Sequence, residues 1–448
     1  MHYVPNTPET EREILEVLGI QRFEDLLGNI PASIMQKCNI NLPEPLSEPE
    51  LVKHMHSLAG KNKHSGENVS FLGGGAYDHF VPAVVDFLIG RSEFYTAYTP
   101  YQPEVSQGTL QSIYEYQSML CHLLDMEVAN ASMYDGATAL AEAAIMAAGI
   151  TGRKRILVSP LIHPAALDVL LTYVGNRDIE IVMLPVSDGL TDFKGLEGQL
   201  QAGIGALLVQ SPNFFGNIEK LAGVAELTRQ QKALLILSVD PVSAALLKTP
   251  GELGADIAVA EGQPLGIHQS FGGPYLGIFT ARNDLIRKMP GRIVGETEDI
   301  DGKRGYVLVL QTREQHIRRE KATSNICSNQ GLMALAATIY MALLGKTGMR
   351  QVANLCLNNS HYLAQKIAAL PGFELAFEEA PFFKEFVVRT PVAPGRIIAE
   401  ALQNGIFAGI DLGCFRPEWR NLLLIAVTEK RSRQEMDDFV KFLSKYAQ

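Results

Sequence analysis

The fold class is decided by the stretch Asp256-Ile-Ala-Val-Ala-Glu-Gly-Gln-Pro264, a short apolar strand that opens with a carboxylate and ends in a turn. Short β-branched runs precede it at residues 156–158, 179–183, 206–209 and 234–237. An alanine-rich helix is predicted over residues 136–149, ahead of these runs, and helical stretches such as residues 164–173 and 221–232 separate them. Strands that alternate with helices predict an α/β fold with a mostly parallel sheet, whose ligands bind beyond the C-terminal ends of the strands.

A carboxylate and a missing lysine at these strand ends point to a cofactor. Asp240 follows the strand over residues 234–239. There it could pair with the ring nitrogen of pyridoxal phosphate (PLP), although an Asp-Pro pair also caps ordinary turns. A PLP enzyme needs a lysine that forms a Schiff base with the cofactor. The strand that should deliver it ends in Gly262-Gln263-Pro264, and the nearest lysines, Lys248 and Lys288, are expected in a connection and a surface helix. We therefore expect a PLP-type domain that cannot carry out the chemistry alone.

Three further features could contact a cofactor. Residues 134–140 form a small-residue turn that leads into a helix N-terminus, which is a common phosphate site and also a common helix start. His163 follows the strand at 156–158, where an imidazole could stack on a cofactor ring. Gly272 and Gly273 precede a proline; they either allow the close approach of a ligand or a neighbouring chain, or form an ordinary turn.

Two more segments suit a site that is built from two chains. Residues 94–104 are aromatic, polar and broken by prolines, so they are predicted to form an ordered loop that lines a substrate pocket or packs in a core or interface. Its candidate substrate or interface residues are Tyr95, Tyr98, Tyr101, Gln102 and Glu104. Thr323, Ser324 and Asn325 follow the basic run over 316–321, and their side chains suit the phosphate of a cofactor on a neighbouring subunit. The alternative is a solvated charged face with one hydroxyl as a helix cap.

The composition excludes several classes of protein. Of the 448 residues, 47% are hydrophobic and 20% are charged, which is typical of a globular protein with room for two domains. The net charge of -10 argues against a nucleic-acid partner. The 5 cysteines are odd in number and form no CxxC pair, so we predict neither a disulfide framework nor a metal site. The sequence contains no apolar run of about 18 residues and no signal-peptide pattern, so we expect a cytoplasmic protein without membrane contact.

The chain is expected to divide into three parts. Residues 1–65 form a helical arm, because Thr7 and Ser47 begin two helices that are too small to fold alone and are expected to wrap a neighbouring surface. Residues 66–325 form the large α/β domain. Residues 326–448 form a smaller α+β domain, with a helix over 331–344 and strands near 373–376, 385–389 and 422–427.

Several long runs resemble one protein family from about residue 3 to the C-terminus. They are Phe71-Leu-Gly-Gly-Gly-Ala-Tyr-Asp78, Tyr98-Thr-Pro-Tyr-Gln-Pro-Glu104, Ser106-Gln-Gly108, Ser211-Pro-Asn-Phe-Phe-Gly216, Gln269-Ser-Phe-Gly-Gly-Pro274 and Arg319-Glu-Lys-Ala-Thr-Ser-Asn-Ile326. This is the glycine dehydrogenase (decarboxylating) family, the P-proteins of the glycine cleavage system. Within it, the runs resemble the alpha subunit, subunit 1 of the two-subunit type.

The resemblance implies the aspartate-aminotransferase-like fold of PLP-dependent transferases (fold type I) and an oxidoreductase of glycine catabolism. In that family the lysine and PLP belong to the beta subunit, and the alpha subunit docks against it in an α2β2 heterotetramer. The complex decarboxylates glycine and passes the aminomethyl group to the lipoyl arm of the H-protein. Two other hypotheses stay open. One is a self-sufficient PLP enzyme of the cysteine-desulfurase or aminotransferase type, which needs another lysine to reach the cofactor; the other is a non-catalytic scaffold.

Overall fold

The structure, a computed structural model, describes residues 7–38, 41–95, 98–201 and 203–447. It contains two compact units, Met1–Lys63 and His64–Gln448. The smaller unit has helices α1 (Pro8–Leu18), α2 (Ala32–Met35) and α3 (Glu48–Ala59), with a 3-10 turn at Phe23–Leu27. Both predicted helix starts are confirmed: Thr7 accepts the Thr10 N–H at 3.2 Å, and the Ser47 N–H donates to Glu50 at 2.9 Å. No residue in these described helices is buried within the structure.

The larger unit carries the remaining described elements. Its helices are α4 (Ala83–Ile89), α5 (Ser92–Tyr95), α6 (Gln107–Leu124), α7 (Gly136–Thr151), α8 (Pro164–Val174), α9 (Leu196–Leu200), α10 (Val224–Gln230), α11 (Gln315–Arg318), α12 (Gly331–Ala368), α13 (Pro394–Gln403) and α14 (Arg433–Leu443). Its strands are β1 (Val69–Ser70), β2 (Val128–Ala129), β3 (Arg155–Val158), β4 (Glu180–Met183), β5 (Val186–Ser187), β6 (Leu190–Thr191), β7 (Ile204–Gln210), β8 (Leu234–Val239), β9 (Ile257–Glu261), β10 (Gly277–Ala281), β11 (Ile293–Glu298), β12 (Arg304–Val309), β13 (Glu374–Leu375), β14 (Glu385–Arg389), β15 (Ile406–Phe407), β16 (Ile410–Asp411) and β17 (Leu422–Ala426).

The central sheet has seven strands in the order β2-β10-β9-β8-β7-β3-β4. Strands β9, β8, β7, β3 and β4 are parallel, while β10 and β2 pair antiparallel at one edge. Neighbouring residues of each strand point to opposite faces. Ala206 and Leu208 therefore pack under α7 and α8, whereas Leu207 and Val209 pack under α9 and α10. This arrangement confirms the predicted α/β class with a mostly parallel sheet.

The C-terminal part of this unit is built on a second, antiparallel sheet in the order β13-β14-β17-β16. Its core is completed by α13 and α14. β1 pairs parallel with β15, so the glycine-rich segment that follows β1 begins beside this smaller sheet. Tyr77 at the end of that segment donates its N–H to Gln263 at 2.8 Å, which fastens the segment to the turn after β9. The predicted boundary at residue 325 stays a prediction.

Helix α12 is the longest element and runs through both parts of the larger unit. It is apolar enough, over its 38 residues, to cross a membrane by length and composition alone. However, Ala337 and Tyr340 pack in a core cluster beside α6, and Leu363 and Ile367 pack in the C-terminal core. Its backbone is non-helical at Gly345 (φ 57°), directly after the predicted helix end at residue 344, and a second helical stretch follows. We interpret α12 as a core helix.

Candidate active site

A cavity of about 290 Å³ opens at the C-terminal edge of the central sheet. Because β7, β8 and β9 are parallel, their last residues Gln210, Val239 and Glu261 reach the same edge. The N-termini of α7 and α8, the glycine-rich segment and the start of β14 complete the wall. The residues that line it include Gly74, Gly75, Tyr77, Asp135, Gly136, His163, Gln210, Phe214, Ser238, Asp240, Glu261, Pro264, Tyr275, Lys384 and Glu385.

The N-terminus of α7 holds a carboxylate from the neighbouring strand. The Gly136 N–H donates to Glu261 at 2.9 Å. The other Glu261 oxygen accepts the N–H groups of Gln263 and Leu276, each at 3.0 Å. A Cβ on Gly136 would lie only 2.8 Å from the Glu261 backbone, so glycine permits this close approach. Burial raises the pKa of Glu261 to about 7. The helix start that the sequence offers as a phosphate site is thus filled by a side chain of the same protein.

Asp240 lies just after β8, and its partner is a lysine. The Lys384 Nζ atom is 2.7 Å from one Asp240 oxygen, and the other oxygen accepts the Val242 N–H at 2.9 Å. Lys384 immediately precedes β14, and its side chain is only 1% exposed. The Lys384 Nζ atom also lies 3.0 Å from His79 Nε2 and 3.5 Å from the centre of the Tyr77 ring. The charge of Asp240 is therefore balanced within the chain.

Two carboxylates extend the network around Lys384. Glu385 accepts the Tyr77 hydroxyl at 2.8 Å, and burial raises the pKa of Glu385 to about 7. His79 Nδ1 lies 2.6 Å from Glu429. A lysine ammonium can only donate, so His79 Nε2 accepts from it. His79 thereby joins Lys384 to Glu429 in one hydrogen-bonded network.

The comparisons with known proteins agree over the whole chain. The model of the glycine cleavage system P-protein family matches residues 1–443. "Probable glycine dehydrogenase (decarboxylating) subunit 1" from Moorella thermoacetica is 52% identical over 440 residues, which are 98% of each protein. A crystal structure of glycine decarboxylase (P-protein) of the glycine cleavage system, in inhibitor-bound form, is 41% identical, with a TM-score of 0.91 over 100% of both chains.

The chain belongs to the glycine cleavage system P-protein family.

A more distant similarity extends this result at the level of the fold. A NifS-like protein from Rickettsia africae superimposes with a TM-score of 0.63 at 12% identity, covering 85% of this chain and 99% of that one. At that identity the similarity concerns the fold alone. Together with the P-protein structure it confirms the fold of type I PLP enzymes.

P-proteins and their fold relatives are PLP enzymes, but this cavity does not fit covalently bound PLP. Pro264 lines the cavity at the position where a lysine is expected, and proline has no amine to offer. Neither Lys248 nor Lys288 is among the described residues that line it. The lysine that does line it, Lys384, is held against Asp240. Among the described residues that line the cavity, no lysine amine is therefore left without a carboxylate partner.

His163 lies where the sequence predicts it, on the cavity wall. Its Nδ1 accepts the Ala165 N–H at 3.1 Å and caps α8. Its ring packs edge-on against Phe214, with the ring centres 5.0 Å apart. Burial lowers the pKa of His163, so the imidazole is neutral near pH 7. Stacking of this ring on a ligand stays a prediction.

None of the described residues of the aromatic loop lines this cavity. Tyr95, Tyr98, Tyr101, Gln102 and Glu104 are all exposed, and residues 96 and 97 lie outside the described part of the chain. Tyr98 is 87% exposed. Tyr101 lines a second cavity, of about 420 Å³, together with Glu314 and His316, and its hydroxyl accepts from Arg292 at 3.1 Å.

The predicted phosphate donors divide into two kinds. Thr323 and Asn325 are exposed, whereas Ser324 between them is buried. The Ser324 hydroxyl accepts the Ile326 N–H at 3.0 Å and bonds to Glu142, whose pKa is raised by burial. Thr323 and Asn325 therefore remain available to a neighbour, and Ser324 serves its own chain.

Gly272 and Gly273 form a surface turn beside Phe271, which is exposed. Their φ angles of 114° and 141° favour glycine. A Cβ on Gly272 would meet no atom within 4 Å, so its lack of a side chain is not required by packing inside this chain.

Sequence reasoning does not find Lys384 or the part played by Glu261. Glu261 stands within the stretch that decides the fold, but a glutamate at a strand end does not by itself point to the start of a helix 125 residues earlier. Lys384 does carry a signal, because Lys384 and Glu385 together interrupt the otherwise apolar run from Phe382 to Val388 at a predicted strand start. A lysine in such a position is unusual unless it has a buried partner.

Proposed function

We propose that this chain is the alpha subunit of a two-subunit glycine decarboxylase, and that a homologous beta subunit supplies the lysine and the PLP. The observation that carries the proposal is Pro264, which lines the cavity at the place where the sequence leads us to expect the lysine, in a chain that matches the P-protein family model over residues 1–443. Relatives that are 52% identical are named subunit 1, and a first subunit implies a second.

In this proposal the assembled α2β2 enzyme decarboxylates glycine and passes the aminomethyl group to the lipoyl arm of the H-protein, in the cytoplasm. PLP on the beta subunit supplies the electron sink for the loss of CO2. This chain contributes surface that closes the partner's site. It has no nucleic-acid or membrane partner.

The aromatic loop is proposed to line the route to the partner's site. Its side chains lie outside the cavity of their own chain, and Tyr98 presents its hydroxyl to the surroundings. Tyr101 is fixed by Arg292, so this part of the loop offers a rigid wall. Such a wall can hydrogen-bond a small polar substrate without ordering many rotatable bonds.

Thr323 and Asn325 are proposed to donate hydrogen bonds to the phosphate of the partner's cofactor. They are exposed and follow a segment that contains Arg318, Arg319 and Lys321, whose charges favour an arriving anion. The exposed turn at Gly272 and Gly273 is proposed to contact the partner's backbone.

Reconstitution tests the proposal. The purified chain, a lysine-bearing PLP paralogue, and their mixture are each assayed for glycine-dependent exchange of labelled bicarbonate. We expect co-purification of the two chains and exchange activity in the mixture alone. Each preparation is also reduced with borohydride and analysed by mass spectrometry, and the pyridoxyl adduct is expected on the partner's lysine.

The other two hypotheses predict different results. A self-sufficient PLP enzyme gives visible Schiff-base absorbance and an adduct on this chain purified alone, and Lys384 is the residue to inspect because it lines the cavity. A non-catalytic scaffold leaves the partner fully active without this chain. Either result contradicts the proposal.

A further inference from the structure

Two side chains in the cavity, Lys384 and Glu261, carry charges of the same sign as the two ends of PLP. Each lies where the corresponding end of PLP is expected. The cofactor has a protonated ring nitrogen at one end and a phosphate at the other. In this chain, Lys384 lies against the carboxylate that is expected to pair with such a nitrogen. Glu261 lies on the helix N-terminus that is expected to hold such a phosphate. Both residues line the same cavity.

At the α7 end, two N–H groups of the first turn already have carboxylate partners: Gly136 donates to Glu261, and Thr138 donates to Asp135. Glu261 accepts three N–H groups, from Gly136, Gln263 and Leu276. It also places a carboxylate at the positive end of the helix dipole. A phosphate at this helix start would have to displace Glu261 or lie beside it. Beside it, the phosphate is repelled when Glu261 is ionised, which its pKa of about 7 places above neutral pH.

At the other end, Asp240 is already neutralised. Lys384 Nζ is 2.7 Å from its oxygen and is held on its other sides by His79 and the face of the Tyr77 ring. A pyridinium nitrogen at this place would meet the lysine charge instead of a free carboxylate. Since Lys384 is almost completely buried, it cannot turn to solvent without opening the network.

We propose that Glu261 and Lys384 replace the phosphate and the pyridinium nitrogen of PLP, so that these two side chains determine the specificity of the cavity and exclude phosphate esters. This inference deepens the proposed function, because it explains why one P-protein subunit keeps the cofactor fold without the cofactor. The exclusion is independent of the missing lysine. Adding a lysine at position 264 would not by itself restore a PLP site.

Ligand binding to the full-length chain tests the inference. The probes are inorganic phosphate and PLP. Equilibrium dialysis measures the binding of each probe to the wild type, to Glu261→Ala, to Lys384→Met and to the double variant. We expect no phosphate binding by the wild type at millimolar concentration. Glu261→Ala should bind phosphate at least tenfold more tightly, whereas Lys384→Met should leave phosphate binding unchanged. The double variant should bind PLP at least a hundredfold more tightly than the wild type.

Glu219→Ala is the matched control. Glu219 is also a buried carboxylate that accepts a backbone N–H, from Thr191 at 2.9 Å, but it does not line the cavity. This variant should gain no affinity for phosphate. Circular dichroism and melting curves check that each variant is folded, and Glu261→Ser is the substitute if Glu261→Ala does not fold.

Two results would overturn the inference. One is phosphate binding that is equal in the wild type and the Glu261 variants, or that rises equally in Glu219→Ala. The other is tight binding of PLP to the wild-type chain, including a borohydride-trapped adduct on Lys384. Both measurements use this chain alone, whereas the proposed function is tested by glycine exchange in the mixture with the partner, so the two can fail separately.

Discussion

The polar groups of the cavity have partners within the chain, whereas several of those in the exposed loops face the surroundings. In the cavity, Asp240 and Glu261 have partners from their own chain. In the loops over 98–104 and 323–325, Tyr98, Thr323 and Asn325 present their side chains to the surroundings. A subunit that bound its own cofactor would need free donors in the cavity. The difference supports the proposals that the cavity excludes anions and that the exposed donors complete a partner's site.

The largest expected effect comes from removing the ion pair between Lys384 and Asp240 in the cavity. Lys384→Met leaves Asp240 buried opposite an apolar side chain, and removal of one partner of a buried ion pair costs about 3–5 kcal/mol. The free energy of unfolding, from denaturant titration of this chain, should fall by about that amount.

Two companion variants sharpen this measurement. Arg396→Met removes an exposed partner of Glu400 on α13 and should change stability little, because surface pairs are screened by water. Asp240→Asn, added to Lys384→Met, should recover part of the loss since no unpaired charge remains. If Lys384→Met lowers the free energy of unfolding as little as Arg396→Met does, the ion pair does not stabilise the cavity.

The two regions also differ in how far they can be predicted. The strands over 155–158, 204–210, 234–239 and 257–261 follow from short apolar runs, since a fully buried strand is apolar on both faces. Asp240 and His163 are predictable for the same reason: each lies close to the end of a predictable strand. Lys384 is not, because its contact with Asp240 joins residues 144 positions apart, one just before β14 and the other just after β8.

Local signals also mislead where tertiary structure decides. The stretch over 221–232 forms a shorter helix, Val224–Gln230, because Gly223 adopts a left-handed conformation before it. Thr323, Ser324 and Asn325 have similar polarity in sequence, and only the fold separates the buried Ser324 from its exposed neighbours. A hydroxyl's partner is set by the surrounding chain, which a local pattern does not contain.

The next effect concerns pH. Glu261 and Glu385 have pKa values of about 7, against an ordinary value of 4.5, because both are buried. The folded chain therefore binds protons more tightly than the unfolded chain between pH 4.5 and 7. Stability from these groups is fully present below pH 4.5 and is lost as the pH rises through about 7, by about 3 kcal/mol for each carboxyl group.

Glu261→Gln and Glu385→Gln should each flatten the curve of unfolding free energy against pH over this window. Glu429 is the contrasting case: burial acts to raise its pKa, but the hydrogen bonds from His79 and Phe80 outweigh it and bring the pKa to about 2. Its contribution is present above pH 4.5 and is lost as the pH falls towards 2, so Glu429→Gln should leave the slope between pH 4.5 and 7 unchanged. An equal slope in the wild type and both cavity variants would contradict the assignment.

A smaller effect tests the exposed segment over residues 323–325. Thr323→Ala should weaken the retention of PLP by the assembled complex roughly ten- to a hundredfold, which corresponds to about 1.5–3 kcal/mol for a charge-assisted hydrogen bond. Ser324→Ala is the control, because Ser324 bonds to Glu142 and Ile326 within its own chain. It should lower the melting temperature of this subunit with PLP affinity unchanged. If Thr323→Ala behaves in that same way, Thr323 is a local cap and the loop donates nothing to the partner.

The smallest effect separates two tyrosines of the aromatic loop. Tyr98 is exposed, so the loss of its hydroxyl in Tyr98→Phe removes a hydrogen bond to substrate or partner and nothing inside the chain. Glycine turnover by the complex should fall by roughly three- to tenfold, the equivalent of about 0.5–1.5 kcal/mol. Tyr101→Phe should lower turnover as well, and it should also lower the melting temperature, because the Tyr101 hydroxyl accepts from Arg292.

Size-exclusion chromatography should show intact assembly for both loop variants, and Tyr362→Phe, on α12, should leave turnover unchanged. Full activity in both loop variants would mean that the loop packs against the partner without contacting the substrate. Thr323 and Asn325 would then be the only exposed residues left to support the proposal that this chain donates hydrogen bonds to the partner's site.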